Sequence, residues 1–280
     1  MSAHLSAPTR FIKAANGIFY AYRRFGSSSI PPLMLLQHYR GNLDSWDPQL
    51  VDTLADQREV ILVDYPGVSS SSGAPARTVA DTAGQIIDFV DALELETIDL
   101  LGFSIGGFVA QELALLRPNL IRRLVLAGTG PRGAQNMHVW GPDITNHAWN
   151  SNPGGEDLLY LFFAPTETSQ ARGREFLSRL IQRTEDRDSD SDLLVRNAQY
   201  SAIAEWGIPD YSKLQQLTGI TAPTFVIQGD HDRMFPTKAS YLLAGLIPDA
   251  RIKIYPDAAH AFLFQYPIEV GDDVNAFLSQ

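Results

Sequence analysis

The feature that most limits what this chain can become is an alternation of two patterns. Six short, continuously apolar runs, Leu33 to Gln37, Val60 to Val63, Ile98 to Leu101, Leu124 to Ala127, Thr224 to Gln228 and Ile252 to Tyr255, read as strands buried on both faces. Helical patterns fall among them at Thr78 to Leu93, Ile105 to Leu116, Lys238 to Leu246 and Ile268 to Leu278. This alternation predicts an α/β fold with a mostly parallel central sheet flanked by helices. Ahead of it, Arg10 to Ala14 and Ile18 to Arg24, joined around Asn16-Gly17, read as an antiparallel hairpin.

The alternation stops after Leu126-Ala127-Gly128 and resumes at Ala222-Pro223-Thr224. About 90 residues without structure of their own would be unusual in a compact domain. Helical patterns at Arg172 to Arg183 and Asp192 to Ile203, with the apolar stretch Leu158 to Phe163, instead predict a helical cap inserted over the carboxyl edge of the sheet. The expected division is residues 1–130 and 219–280 for the core and 131–218 for the insertion. Within the insertion, Glu185-Asp186-Arg187-Asp188-Ser189-Asp190 lacks the spacing and the glycine of a calcium loop, so it reads as a solvated connection between helices.

Composition narrows the function. With 280 residues the chain can bury a large core, and with no cysteine it makes neither a disulfide nor a thiolate site. A formal net charge of -10, with no basic cluster longer than Arg23-Arg24 or Arg122-Arg123, argues against nucleic-acid binding. No apolar run approaches the roughly 18 residues of a membrane span, and the first residues carry no secretory pattern. The expectation is a soluble cytoplasmic protein, monomer or homodimer, acting on a small molecule.

The chemistry is concentrated at three loops that follow strands. Gly102-Phe103-Ser104-Ile105-Gly106 lies where a strand gives way to a helix. The pattern G-x-S-x-G in that context is a nucleophile elbow, a strained turn that presents a serine hydroxyl beside a helix N-terminus. By composition alone the bare pattern would arise in roughly one chain of this length in ten, so the strand-turn-helix context carries the weight. A serine needs a base to take its proton and a third group to orient the base, in the chain order Ser, acid, His for this arrangement. Gly229-Asp230-His231-Asp232 follows one later strand and Pro256-Asp257-Ala258-Ala259-His260 the next. Carboxyl ends of strands are where open α/β sheets place ligands.

In these motifs, and over nearly its whole length, the chain resembles the α/β-hydrolase superfamily, in its branch of small-molecule serine hydrolases. The family's G-x-x-D-x-x-x-P matches Gly229 to Pro236 and implies Asp232 rather than Asp230 as the acid. Its last motif implies His260 as the base and Ser104 as the nucleophile. The oxyanion donors implied are the backbone N–H groups of Ile105 and Tyr39. Here the chain departs from the family, because Gln37-His38 stands where His-Gly is usual; His38 either leaves the loop backbone compatible or shapes the pocket. Asp64-Tyr65-Pro66-Gly67-Val68-Ser69-Ser70-Ser71-Ser72-Gly73 resembles the family's D-x-x-G-x-G-x-S loop, with Asp64 fixing that loop.

Substrate contacts are expected from His38, Tyr39, Trp140, Phe162, Trp206 and Phe262, with Trp149 a further aromatic of the insertion. His231 reads as a pocket-wall or surface residue, and His4, His138 and His147 have no positional argument. No H-E-x-x-H or other metal-ligand spacing occurs, so neither a metal nor a cofactor is expected. Serine at the elbow disfavours the dehalogenase and epoxide-hydrolase branches, which attack with aspartate. What the resemblance implies is hydrolysis of a small, largely apolar ester or lactone. Alternatives are a perhydrolase or haloperoxidase-like enzyme, a cofactor-free oxygenase using the same site, and a ligand receptor on the same scaffold.

Overall fold

The computed structural model describes residues 2–27, 31–135, 137 and 139–280. The first elements are α1 (Ala3–Ser6), β1 (Arg10–Lys13), β2 (Phe19–Gly26), β3 (Leu33–Leu36), α2 (Pro48–Ala55) and β4 (Glu59–Val63). Then come α3 (Val79–Ala92), β5 (Ile98–Phe103), α4 (Ile105–Leu116) and β6 (Ile121–Ala127). Five helices follow: α5 (Pro142–Ala148), α6 (Gly155–Phe162), α7 (Glu167–Leu180), α8 (Leu193–Trp206) and α9 (Tyr211–Gln215). The chain closes with β7 (Thr224–Gly229), α10 (Thr237–Leu246), β8 (Ala250–Tyr255), α11 (Phe262–Gln265) and α12 (Pro267–Leu278).

Among the described residues, eight strands make one sheet in the order β1-β2-β4-β3-β5-β6-β7-β8. β2 pairs antiparallel with β1 and β4, and the other pairings are parallel. Every residue of β3, β5 and β7 is buried, as covering both faces of a parallel sheet requires. The hairpin turns as its sequence predicts: Gly17 has φ 83°, a left-handed conformation glycine adopts without strain, and Ala14 N–H closes onto Ile18 O at 3.0 Å. Helix α2 went unread in the sequence, although Asp47-Pro48 is a start signal: Asp47 accepts from Gln49 N–H at 2.8 Å and Pro48 takes the first helical position. No described helix is long and apolar enough to cross a membrane.

Helices α5 to α9 lie between β6 and β7 and are tied to the core by polar contacts. Arg179 on α7 is bidentate to the buried Asp47 carboxylate, with Nη2 2.6 Å from Oδ2. From the core loop after β3, Arg40 donates to the carbonyls of Asn150, Ser151 and Ser191.

The acidic segment Glu185 to Asp190 corrects its sequence reading. Only part of it is solvated, and Asp188 is buried against the core. Two buried cations absent from the segment's own pattern, Arg23 and Arg183, make this docking stable. Arg23 holds Asp44 at 2.6 Å and reaches Asp186 O at 3.1 Å, while Arg183 bonds the Asp186 carboxylate and the carbonyls of His4, Leu5 and Ala7. Asp188 N–H donates to Asp44, and Asp188 Oδ2 and Asp64 Oδ1 both accept from Leu43 N–H, at 3.1 and 3.0 Å. Burial first, and then the neighbouring Asp188 charge, raises the Asp64 carboxyl well above the carboxylate range; burial and Asp44 raise Asp188. A raised carboxyl contributes stability that is present below the unfolded carboxylate range and lost as pH climbs through the folded value. An amide at position 64 keeps a donor for Asp188 without the charge. The stability gain of Asp64→Asn over wild type, read as the difference in thermal midpoint, is therefore expected to grow from pH 5 to pH 8; an equal difference at both would refute the paired-acid reading.

Candidate active site

Strand β5 delivers Ser104, and the turn that holds it is strained and crowded. Ser104 has φ 60° and ψ −121°, a conformation a side chain tolerates only when its surroundings enforce it. Ser104 N–H donates to Ala127 O at 2.9 Å, and Thr129 Oγ1 donates to Ser104 O at 2.8 Å. The flanking glycines answer to close approach. A Cβ on Gly102 would lie 2.3 Å from Gly106 O, one on Gly106 2.2 Å from Leu36 O, and one on Gly107 2.6 Å from the Thr129 side chain.

The other two loops bring an imidazole and a carboxylate to that hydroxyl. Ser104 Oγ lies 2.9 Å from His260 Nε2, and His260 Nδ1 lies 2.7 Å from Asp232 Oδ2. Ser104 and His260 are 1% exposed and Asp232 9%, and Ser104 and His260 meet the cavity between the sheet edge and the inserted helices. Asp232 is fixed at both oxygens: Oδ1 accepts from Met234 N–H (2.8 Å) and Phe235 N–H (3.0 Å), and Oδ2 accepts from Gln228 Nε2 at 2.9 Å. It therefore organises the turn before α10 and faces His260 at once. Asp230 has a different task, accepting from Asp257 and Ala258 N–H and so pinning the loop that carries His260. His231 is exposed and bonds Asp230.

The loop after β3 keeps its course despite its unusual sequence. Gln37 folds back, its Oε1 accepting from His38 N–H at 2.8 Å and its Nε2 donating to Asn42 O at 3.3 Å. His38 Nδ1 bonds Tyr39 O at 2.9 Å; a carbonyl only accepts, so Nδ1 carries the proton. Burial lowers the His38 pKa to about 4, which leaves the ring neutral. The Tyr39 N–H has no hydrogen-bond partner among the described residues, and Ile105 N–H, first in α4, has no intrahelical one. Both readings of His38 hold together, since the backbone is preserved and the ring borders the cavity.

That cavity, of about 240 Å³, lies between the sheet edge and the inserted helices. His38, Tyr39, Ser104 and His260 form its core side, with Leu158, Leu161, Phe162, Phe176 and Leu180 opposite. Three expected substrate contacts are absent from its wall. Trp206 stacks on Phe108, centroids 5.0 Å apart, and donates to Gly130 O, packing α8 on α4. Trp140 stands behind Tyr39, with ring centroids 5.5 Å apart. Phe262 stacks on Tyr255 beneath the His260 loop at 5.2 Å. Trp149 is exposed, with Arg196 over its ring. The apolar stretch Leu158 to Phe163 supplies Leu158, Leu161 and Phe162 to the wall, Phe176 and Leu180 were not singled out in the sequence, and His147, which had no positional argument there, borders the cavity with Nδ1 2.8 Å from Asp157. His138 lies outside the described residues, among which no three His, Asp or Glu group as metal ligands.

Comparison with known proteins places these features in context. A family model described as the alpha/beta hydrolase fold matches residues 31–267. A solved structure of an alpha/beta hydrolase fold protein from Chitinophaga pinensis superposes with a TM-score of 0.92 at 39% identity, covering 99% of this chain and 98% of that one. The pimeloyl-[acyl-carrier protein] methyl ester esterase of Proteus mirabilis is 28% identical over 86% of this chain and 89% of its own. The bifunctional biotin biosynthesis protein of Teredinibacter turnerae is 25% identical over 84% of this chain, which spans only 42% of that protein. Carboxylesterases, lactonases and meta-cleavage product hydrolases are also among the matches.

The crowding at the elbow yields a paired expectation. Gly106→Ala forces a methyl group onto Leu36 and Gln37 backbone and is expected to cost about 1–3 kcal/mol of unfolding free energy. Gly84→Ala, inside α3 with nothing within 4 Å of the added carbon, is expected to gain about 0.5–1 kcal/mol. Denaturant unfolding measures both, and equal effects would contradict the close-approach account.

Proposed function

The chain belongs to the α/β-hydrolase family, and we propose that it is a serine hydrolase cleaving small, largely apolar carboxylic esters or lactones through an acyl-enzyme on Ser104. The observation that carries this reading is the relay from Ser104 Oγ through His260 to Asp232, with gaps of 2.9 and 2.7 Å. His260 Nε2 takes the hydroxyl proton as Oγ bonds to the substrate carbonyl carbon. Asp232 accepts from Nδ1–H and stabilises the imidazolium that forms.

The carbonyl oxygen, now an oxyanion, is held by the N–H groups of Tyr39 and Ile105 at the positive end of α4. Each such donor is worth about 10²–10³ in rate. As the intermediate collapses, the carbon–oxygen bond to the alcohol breaks and His260 hands its proton to that oxygen. Water then attacks the acyl group with His260 again as base, releasing the acid and restoring the serine. In a lactone the released alcohol stays joined to the acyl group. The aliphatic and aromatic wall of α6 and α7 suits an apolar acyl chain. The esterases among the relatives support the same class of bond.

Steady-state kinetics on aryl esters and lactones of rising acyl length tests the proposal. Ser104→Ala and His260→Ala are each expected to lower kcat by about 10⁴-fold or more, and Asp232→Asn by a comparable factor because the amide favours the wrong imidazole tautomer. Retention of most activity in Ser104→Ala would refute an acyl-enzyme and favour direct use of His260 as a base, as in a cofactor-free oxygenase.

A further inference from the structure

We propose that His38 is a specificity-determining hydrogen-bond acceptor, so that the preferred acyl groups carry a hydroxyl or amide N–H on the carbon next to the scissile carbonyl. The inference rests on the hydrolase reading above and adds to it a substrate class.

Four observations carry it. The ring borders the cavity that holds Ser104 and His260. Its Nδ1–H is committed to Tyr39 O, so the remaining nitrogen, Nε2, presents a lone pair and has no hydrogen-bond partner among the described residues. The ring is clamped edge-on by Phe103 and Phe162, with centroids 5.4 and 5.2 Å away and interplanar angles of 77° and 84°, so the acceptor has one fixed direction. Burial keeps the imidazole neutral, with its pKa lowered to about 4, so Nε2 remains an acceptor near neutral pH.

The position in the chain selects the substrate atom. His38 directly precedes Tyr39, whose N–H faces the scissile carbonyl oxygen in the proposed reaction. The substrate groups nearest that oxygen are the alkoxy oxygen, which has no hydrogen to donate, and the substituents of the adjacent acyl carbon, which can carry one. Nε2 is not a buried unpartnered atom, so it opens to the cavity; a substrate that fills the cavity displaces its water and leaves it unpaired unless a hydroxyl or amide N–H at that carbon takes over. An unsubstituted acyl chain leaves Nε2 unpaired, and an ether oxygen places two acceptors face to face. A site built around a polar partner discriminates against analogues lacking it more strongly than an apolar pocket discriminates by size.

The test compares ethyl 2-hydroxybutanoate, ethyl 2-methoxybutanoate and ethyl butanoate by titrating the acid released. Wild type is expected to favour the hydroxy ester over both others by about tenfold or more in kcat/KM. His38→Phe removes the acceptor but keeps an aromatic ring, and His38→Gly removes the side chain altogether. In either variant the hydroxy-to-methoxy ratio is expected to fall to near one, whatever its overall activity. A wild type without the preference overturns the inference even if both variants misfold, and so does an undiminished ratio in a folded variant. If wild type hydrolyses none of the three esters but a fluorophosphonate still labels Ser104, this substrate class is refuted and the hydrolase reading survives. If no label appears either, the hydrolase reading itself falls.

Discussion

The approach of Gly106 to the end of β3 is the constraint on which the rest of the site depends. The missing Cβ would lie 2.2 Å from Leu36 O and 2.9 Å from Gln37 O, so the first turn of α4 rests directly on the backbone that enters the Gln37 to Asn42 loop. That contact sets two things at once. It holds Ser104 in a positive-φ turn at the sheet edge, and it fixes the distance between the serine and the Tyr39 peptide. The strain at Ser104 persists because Ala127 O, Thr129 and the glycine contacts over-determine it.

Around this contact the polar groups are supported rather than merely adjacent. Asp232 receives donors from Met234, Phe235, Gln228 and His260, which keeps its carboxylate in one orientation. Asp230, two residues earlier, holds the His260 loop by its backbone. The Gln37 side chain does for the β3 loop what a smaller, more regular sequence would otherwise have to do. The inserted helices close over this frame through Arg179, Arg40 and the buried Asp188, and so leave the relay largely buried, where its hydrogen bonds are stronger.

The sheet, the hairpin and the three loops were legible because their signals are local. Apolar runs bounded by turn residues mark strands, and Ser104, Asp232 and His260 each follow one. The wall of the cavity was far less legible. Helical spacing shows that a residue such as Leu158, Phe162, Trp140 or Trp206 faces inward, but not whether the space it faces is filled by core or left open. Here Trp206 fills a gap over Phe108 while Leu158 borders the cavity. Aromatic type alone did not separate the two, since Tyr39 and Phe162 border the cavity whereas Trp140, Trp206 and Phe262 pack between layers. The acidic segment misled for a related reason: Arg23 is distant in sequence, and although Arg183 pairs with Asp186 three residues on, only the fold brings it against the carbonyls of His4, Leu5 and Ala7. His147 had no positional argument in the sequence because its partner Asp157 belongs to the next helix.

The central claim is that Ser104 becomes covalently acylated, and the most direct measurement is mass spectrometry of the intact protein quenched in acid during turnover of a 4-nitrophenyl ester. The account predicts a species heavier by the acyl group less one hydrogen, with the added mass confined to the peptide containing Ser104. Release of 4-nitrophenol at full rate with the acyl group found on another residue, or with no acylated species at any quench time for slowly hydrolysed acyl groups, would contradict it.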